Sequence, residues 1–150
     1  MLAAQPMFTI HAELAPIQRL GATPYGERRI INIIGGQVRG AKLNGKVLPG
    51  GADWQIIRSD GAADIQARYT IEAEGGAQIL VSSEGLRHGP PDVMEKLGRG
   101  EIVDPASYYF RTLMRFETSD PKLAWLNKLL AIAKGAREAN AVKLDVFEVL

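Results

Sequence analysis

The sequence predicts a mainly β protein: a single antiparallel β-barrel of about seven to nine strands with two short helical segments. Three observations carry that expectation. Apolar residues alternate with period two along most of the chain, the signature of half-buried strands. Sixteen glycines and eight prolines in 150 residues supply frequent turns. Only two segments carry helix start signals, and both are short. A closed barrel is preferred to an open sandwich because closure removes the unpaired edges that so many strands would expose.

The elements follow in order. Phe8, Ile10, Ala12 and Leu14 alternate with Met7, Thr9, His11 and Glu13, giving a first strand with His11 on its outer, exposed face. Arg28 to Gln37 holds Ile30, Ile31, Ile33 and Ile34, a β-branched run ending at Gly35-Gly36, as in a strand buried on both faces or bulged near its glycines. Residues 64 to 73 alternate most cleanly. Ile65, Ala67, Tyr69, Ile71 and Ala73 share one face, with Asp64, Gln66, Arg68, Thr70 and Glu72 on the other. The turn Glu74-Gly75-Gly76 returns the chain as Ala77 to Ser83, completing a hairpin.

Pro90 to Gly98 has proline at its start and glycine at its end, the polarity of a short helix. Tyr108 to Thr118 sets Tyr108, Phe110, Thr112, Met114 and Phe116 against Tyr109, Arg111, Leu113, Arg115 and Glu117. Asp120 followed by Pro121 is an N-cap with proline at the first helical position, and the helical segment runs to Leu126. Lys128 to Glu138 has helix-favouring composition, but its place between β-like segments predicts a strand from Leu130 to Arg137. Val142 to Val149 forms the last strand. Linkers, repeats and low-complexity tracts are absent, so residues 1–150 read as one domain.

Composition excludes several function classes. The formal net charge is +1, which gives no strong attraction to nucleic acid or to a membrane surface. There is no cysteine, hence no disulfide framework and no thiolate nucleophile or metal ligand. The two histidines, His11 and His88, are far apart and give no metal-ligand spacing. The first residues have no basic stretch and apolar run of the signal-peptide kind, so the expected location is cytoplasmic. Phosphate-loop and nucleophile-elbow motifs are missing, and no cofactor is expected.

The most distinctive segment is Asn44 to Gly61. Its Pro49-Gly50-Gly51 turn delivers Asp53, Trp54 and Gln55 in succession, and Ser59-Asp60-Gly61 makes a second turn. In a regular strand Asp53 and Trp54 face opposite sides; a bulge at the glycines would present both to one site.

Together with Arg28-Arg29-Ile30-Ile31, Gly35-Gly36, Ala67-Arg68-Tyr69-Thr70, Gly85-Leu86-Arg87-His88-Gly89 and Tyr108-Tyr109-Phe110-Arg111-Thr112, the Pro-Gly-Gly-Ala-Asp-Trp-Gln element resembles the uncharacterised protein family 0311, also catalogued as domain of unknown function 3237. The resemblance spans nearly the whole chain. It implies a small antiparallel barrel similar in outline to allene oxide cyclase and lipocalin-like barrels, and it brings no defined reaction.

Site candidates follow from chemistry. Asp53 is either a general base, or acceptor for a substrate hydroxyl, or a turn-capping carboxylate bound to backbone N–H groups. Trp54 is an aromatic wall for a ligand. Arg68, Arg87 and Arg111 are candidates to hold an anion, with Tyr109 beside them, provided that their strand faces line the interior. His88, in a glycine-rich loop, is an acid or base near neutral pH, or simply a solvated loop histidine. The leading expectation is a barrel that binds a small carbonyl- or carboxylate-bearing molecule, with cofactor-free isomerase, cyclase or lyase/hydratase chemistry. The alternatives are a non-catalytic carrier or sensor, and a structural or interaction protein with a filled barrel. A homo-oligomer is compatible with all three; nucleic acid and membrane are not expected partners. Convergence of Asp53, Arg68 and Arg111 in one cavity would distinguish the enzyme.

Overall fold

Alternation along residues 63–73 translates directly into geometry: Ala63, Ile65, Ala67, Tyr69, Ile71 and Ala73 are buried, while Gln66 and Arg68 are exposed. The same parity, repeated on neighbouring strands, rolls the sheet around an apolar interior. The computed structural model describes residues 1–150. Its strands are β1 (Phe8–Leu14), β2 (Gln18–Thr23), β3 (Gly26–Arg39), β4 (Gly45–Val47), β5 (Gly51–Ile57), β6 (Ala63–Ala73), β7 (Gln78–His88), β8 (Tyr109–Glu117), β9 (Ala131–Arg137) and β10 (Ala141–Glu148). One α-helix, α1 (Pro91–Gly98), joins β7 towards β8.

All strand pairings are antiparallel. Eight strands close the barrel in the order β1-β10-β9-β8-β7-β6-β5-β3, and β1 then pairs with β3. Closure leaves no free edge in that ring. Two strands were not foreseen from the sequence. The short β4 bridges β3 and β6 beyond the end of β5. The outlying β2 pairs only with β3, and its exposed, weakly apolar Gln18-Arg19-Leu20-Gly21 start gives no core-facing alternation.

The two ends of the barrel differ. At one end Phe8, Ile71, Ile79, Phe116 and Val146 fill the interior, and Leu126 from the 3₁₀ helix Pro121–Lys128 seals it without any exposure. Asp120 caps that helix, accepting a 2.8 Å bond from the Lys122 N–H, as expected of an Asp-Pro start. Phe8 and Phe116 meet edge to face there, with ring centroids 5.8 Å apart. The other end is open beneath α1, whose Met94 and Leu97 lean over it. His11, expected to be merely exposed, is half-buried with Nε2 3.2 Å from Glu138 Oε1. No helix is long and apolar enough to cross a membrane.

Candidate functional site

The open end is built from side chains that alternation directs inward. On β5, Asp53 and Gln55 face the lumen while Trp54 between them faces out, 41% exposed. The glycines before them do not bulge the strand: β5 pairs with β3 in unbroken register from Gly51↔Ile33 to Ile57↔Glu27. Gly50 instead makes the turn, at φ +105°. Asp53 and Trp54 therefore do not share a site.

Asp53 repairs a gap in the wall. Pairing between β5 and β6 stops after Asp53↔Ala67 and resumes at Ile56↔Asp64. The Gln66 N–H in that gap donates to Asp53 Oδ1 at 3.0 Å. Gln55, fully buried, donates from Nε2 to Asp53 Oδ2 at 2.9 Å. Its Oε1 accepts from Arg29 Nε at 3.0 Å, and also from Arg29 Nη2. An amide suits this position because it carries an acceptor for the guanidinium and a donor for the carboxylate. Arg29 reaches it from the next strand, where Arg29 and Gln55 are register partners.

Arg87 enters from β7 and Arg137 from the end of β9. Arg87 is only 7% exposed, its Nε has no hydrogen-bond partner, and it forms no ion pair. Its guanidinium lies over the Phe110 ring, 5.6 Å from the centroid. Phe110 in turn packs on Gly135, where a Cβ would lie 2.6 Å from the ring carbons, so only glycine admits the ring. Arg29, Arg87 and Arg137 line a chamber of about 450 Å³ at the mouth, with Glu27, Arg99 and the α1 residues Met94 and Leu97. Below it, a pocket of about 50 Å³ reaches Asp53, Gln55, Tyr69, Ser83 and Thr112 among Ile31, Ile65 and Phe110. The Tyr69 hydroxyl and Thr112 Oγ1 are buried there without a partner.

The electrostatics follow from burial. Desolvation raises the pKa of Asp53, against the lowering effect of its two hydrogen bonds and of Arg87 and Arg29. Desolvation pushes Arg87 down to about 10, assisted by Arg137 and Arg29. Arg29 and Arg137 are lowered mainly by the same cause. Burial alone raises Tyr69. No group of three or more histidine, aspartate or glutamate side chains is placed to hold a metal ion.

A family profile described as "Protein of unknown function (DUF3237)" matches residues 2–149. The chain belongs to the DUF3237 family. A UPF0311 protein of Bradyrhizobium diazoefficiens is 46% identical over 144 residues, covering 96% of this chain and 94% of the relative. The crystal structure of a conserved protein of unknown function from Rhodopseudomonas palustris is similar at TM-score 0.93 and 43% identity, covering 100% of this chain and 98% of that one. An enzyme from Penicillium herquei shares the fold at TM-score 0.69 with 19% identity, over 97% of this chain and 94% of that one.

In this DUF3237 barrel the sequence-derived candidates divide by parity. Asp53 and Arg87 face the lumen. Trp54, Arg68, His88, Tyr109 and Arg111 are one residue out of phase with inward neighbours and lie on the outer wall. There His88 stacks on Tyr109 at 5.0 Å, and the Arg111 guanidinium sits over the same ring at 5.4 Å. Arg68 flanks Trp54 in a shallow outer groove. Asp53, Arg68 and Arg111 thus do not converge. Sequence reasoning missed Arg29, Gln55 and Arg137. Counting by two from Asp53 gives Gln55, from Ile33 and Ile31 gives Arg29, and from Ala131, Ala133 and Gly135 gives Arg137.

Proposed function

We propose that this DUF3237 protein binds a small carbonyl- or carboxylate-bearing molecule in the mouth of the barrel and catalyses a cofactor-free proton transfer on it. The class would be isomerisation, cyclisation or addition and elimination of water. The observation that supports this reading is the convergence of a desolvated carboxylate, Asp53, with Arg87, whose Nε is buried without a partner, around the small pocket below the mouth. Above that pocket a chamber of about 450 Å³ matches a small-molecule ligand, and Arg87 and Arg137 line both spaces.

In this mechanism Asp53 removes a proton from the carbon next to the carbonyl. A raised pKa makes it a stronger base than an ordinary carboxylate. Each of its oxygens has one lone-pair site committed to Gln66 or Gln55 and another available. The N–H groups of Arg87 hold the oxygen on which enolate charge develops. Asp53 then returns the proton to another carbon, or to a departing hydroxyl so that water leaves. Arg29 and Gln55 orient Asp53.

A second reading, a non-catalytic carrier, draws on one observation: both Asp53 oxygens already accept a hydrogen bond. A thermal-shift screen of small carboxylates and keto compounds, followed by NMR of the hits in D₂O, separates the two. The enzyme reading expects deuterium to enter the ligand beside its carbonyl, and Asp53→Asn to slow that exchange roughly 10²–10⁴-fold. Hits that bind without exchange favour the carrier. Exchange that Asp53→Asn leaves untouched removes Asp53 from the chemistry.

A further inference from the structure

We infer that the ligand of the mouth chamber carries two carboxylates, a specification that rests on the binding reading above and narrows it. Arg29 is on β3, Arg137 on β9 and Arg87 on β7. Around the ring β3-β1-β10-β9-β8-β7-β6-β5 they are separated by three, two and three strand steps. They therefore approach the chamber from three sides instead of clustering on one wall, and all three line it.

The interior offers them one counter-charge. Asp53 faces the lumen, and Gln55 ties it to Arg29. Glu27 is exposed at the rim and acts from there on Arg29 alone. The remaining rim cation, Arg99, is already engaged by Glu101 at 2.7 Å. None of the ion pairs in the molecule includes Arg29, Arg87 or Arg137. Three guanidiniums face one lumenal carboxylate, Asp53, and the exposed Glu27 at the rim, which leaves an excess of positive charge at the mouth. Burying such an excess is unfavourable unless a ligand neutralises it. Burial and mutual repulsion act together on Arg87, whose pKa is lowered by desolvation and by both other arginines.

The division between the two anionic groups follows from the strand order. Arg137 and Arg87 flank β8 from either side and neither forms an ion pair, so they bracket one carboxylate of the ligand. Arg29 lies across the mouth, beside Asp53, and receives the second. The carbon chain between the two groups then spans the mouth above the pocket that holds Asp53. A guanidinium suits a carboxylate because it offers two parallel N–H donors.

Calorimetric titration of the full chain at fixed ionic strength tests this, with butyrate, succinate, glutarate and inorganic phosphate as probes. The expected result is that succinate or glutarate binds at least tenfold tighter than butyrate. Arg29→Met should erase that advantage, whereas Arg137→Met should weaken butyrate and the dicarboxylates alike; Arg29→Gln is the second variant should the first fold poorly. Arg68→Met, on the outer wall, should leave every affinity unchanged. Equal binding of butyrate and the dicarboxylates overturns the two-carboxylate inference and leaves the simpler binding reading standing. Phosphate binding tighter than any dicarboxylate overturns it in favour of a phosphate ligand. Failure of all four probes to bind overturns the two-carboxylate inference and leaves the keto compounds of the screen to decide the binding reading.

Discussion

Replacing Arg87 with methionine should make the protein more stable and at the same time stop it binding. The stability half can be worked from the structure. Arg87 is 7% exposed, its Nε is unpartnered, and the nearby charges are mostly alike in sign. A guanidinium stays charged at neutral pH, so a pKa pressed down to about 10 appears as a folding cost of roughly 3 kcal/mol, at ~1.36 kcal/mol per pKa unit. Against that stands the contact with the Phe110 ring, 5.6 Å from its centroid, worth about 0.5–2 kcal/mol. Methionine keeps an unbranched apolar stem in the same place, so little packing is lost. The net gain is about 1–2.5 kcal/mol, which for a chain of 150 residues raises Tm by roughly 2–10 °C. Differential scanning calorimetry of parent and variant at pH 7 measures it. A Tm that falls by more than about 2 °C would show that the guanidinium supports the fold, and would refute the view of Arg87 as a group held under strain for a ligand.

Other expectations concern its neighbours. Asp53 has a folded-state pKa above its unfolded one, so its contribution to stability is complete below the unfolded value and is lost as pH rises through the folded value. The stability of Asp53→Asn relative to the parent should therefore increase as pH rises above about 4 in urea titrations; a difference that shrinks as pH rises contradicts the assignment of desolvation as the dominant cause. Gly135→Ala drives a Cβ to 2.6 Å from the Phe110 ring and should cost about 1–3 kcal/mol by overpacking, visible as a lowered urea midpoint. Because the ring carries Arg87, ligand affinity should fall with it; a variant as stable as the parent would mean that the ring moves freely. Tyr69→Phe removes a buried hydroxyl without a partner and should be neutral or stabilising by up to about 1–3 kcal/mol, where loss of stability would reveal a bridging water.

Strand positions were legible because burial on one face imposes period two, and one end of this barrel obeys it with aliphatic and aromatic residues throughout. The strand at Ala131–Arg137 was legible from context against its helix-favouring composition. The site was less so, for a reason visible in the same parity. At the open end the inward positions change from apolar to polar, and Arg29, Gln55, Arg87 and Arg137 no longer stand out from their solvent-facing neighbours. Arg68 and Arg111 looked equivalent to Arg87 because residue type alone does not report phase. Only the register with Ala67, Tyr69 and Phe110 places them outside. The outlying β2 and the short β4 carry too few buried residues for any pattern to develop.

The bond from the Gln66 amide to Asp53 gives the barrel a built-in gauge of its own chemistry. A backbone proton at the seam between β5 and β6 is held by an ionisable side chain where a strand carbonyl would ordinarily hold it. Whatever alters the charge on that side chain, a bound ligand or a captured proton, alters one amide that sits in the wall and not in the cavity. A single ¹⁵N-labelled resonance, that of Gln66, would then follow occupancy and protonation during titration or turnover. Its rate of hydrogen exchange would measure how firmly the seam stays shut when the carboxylate is called away.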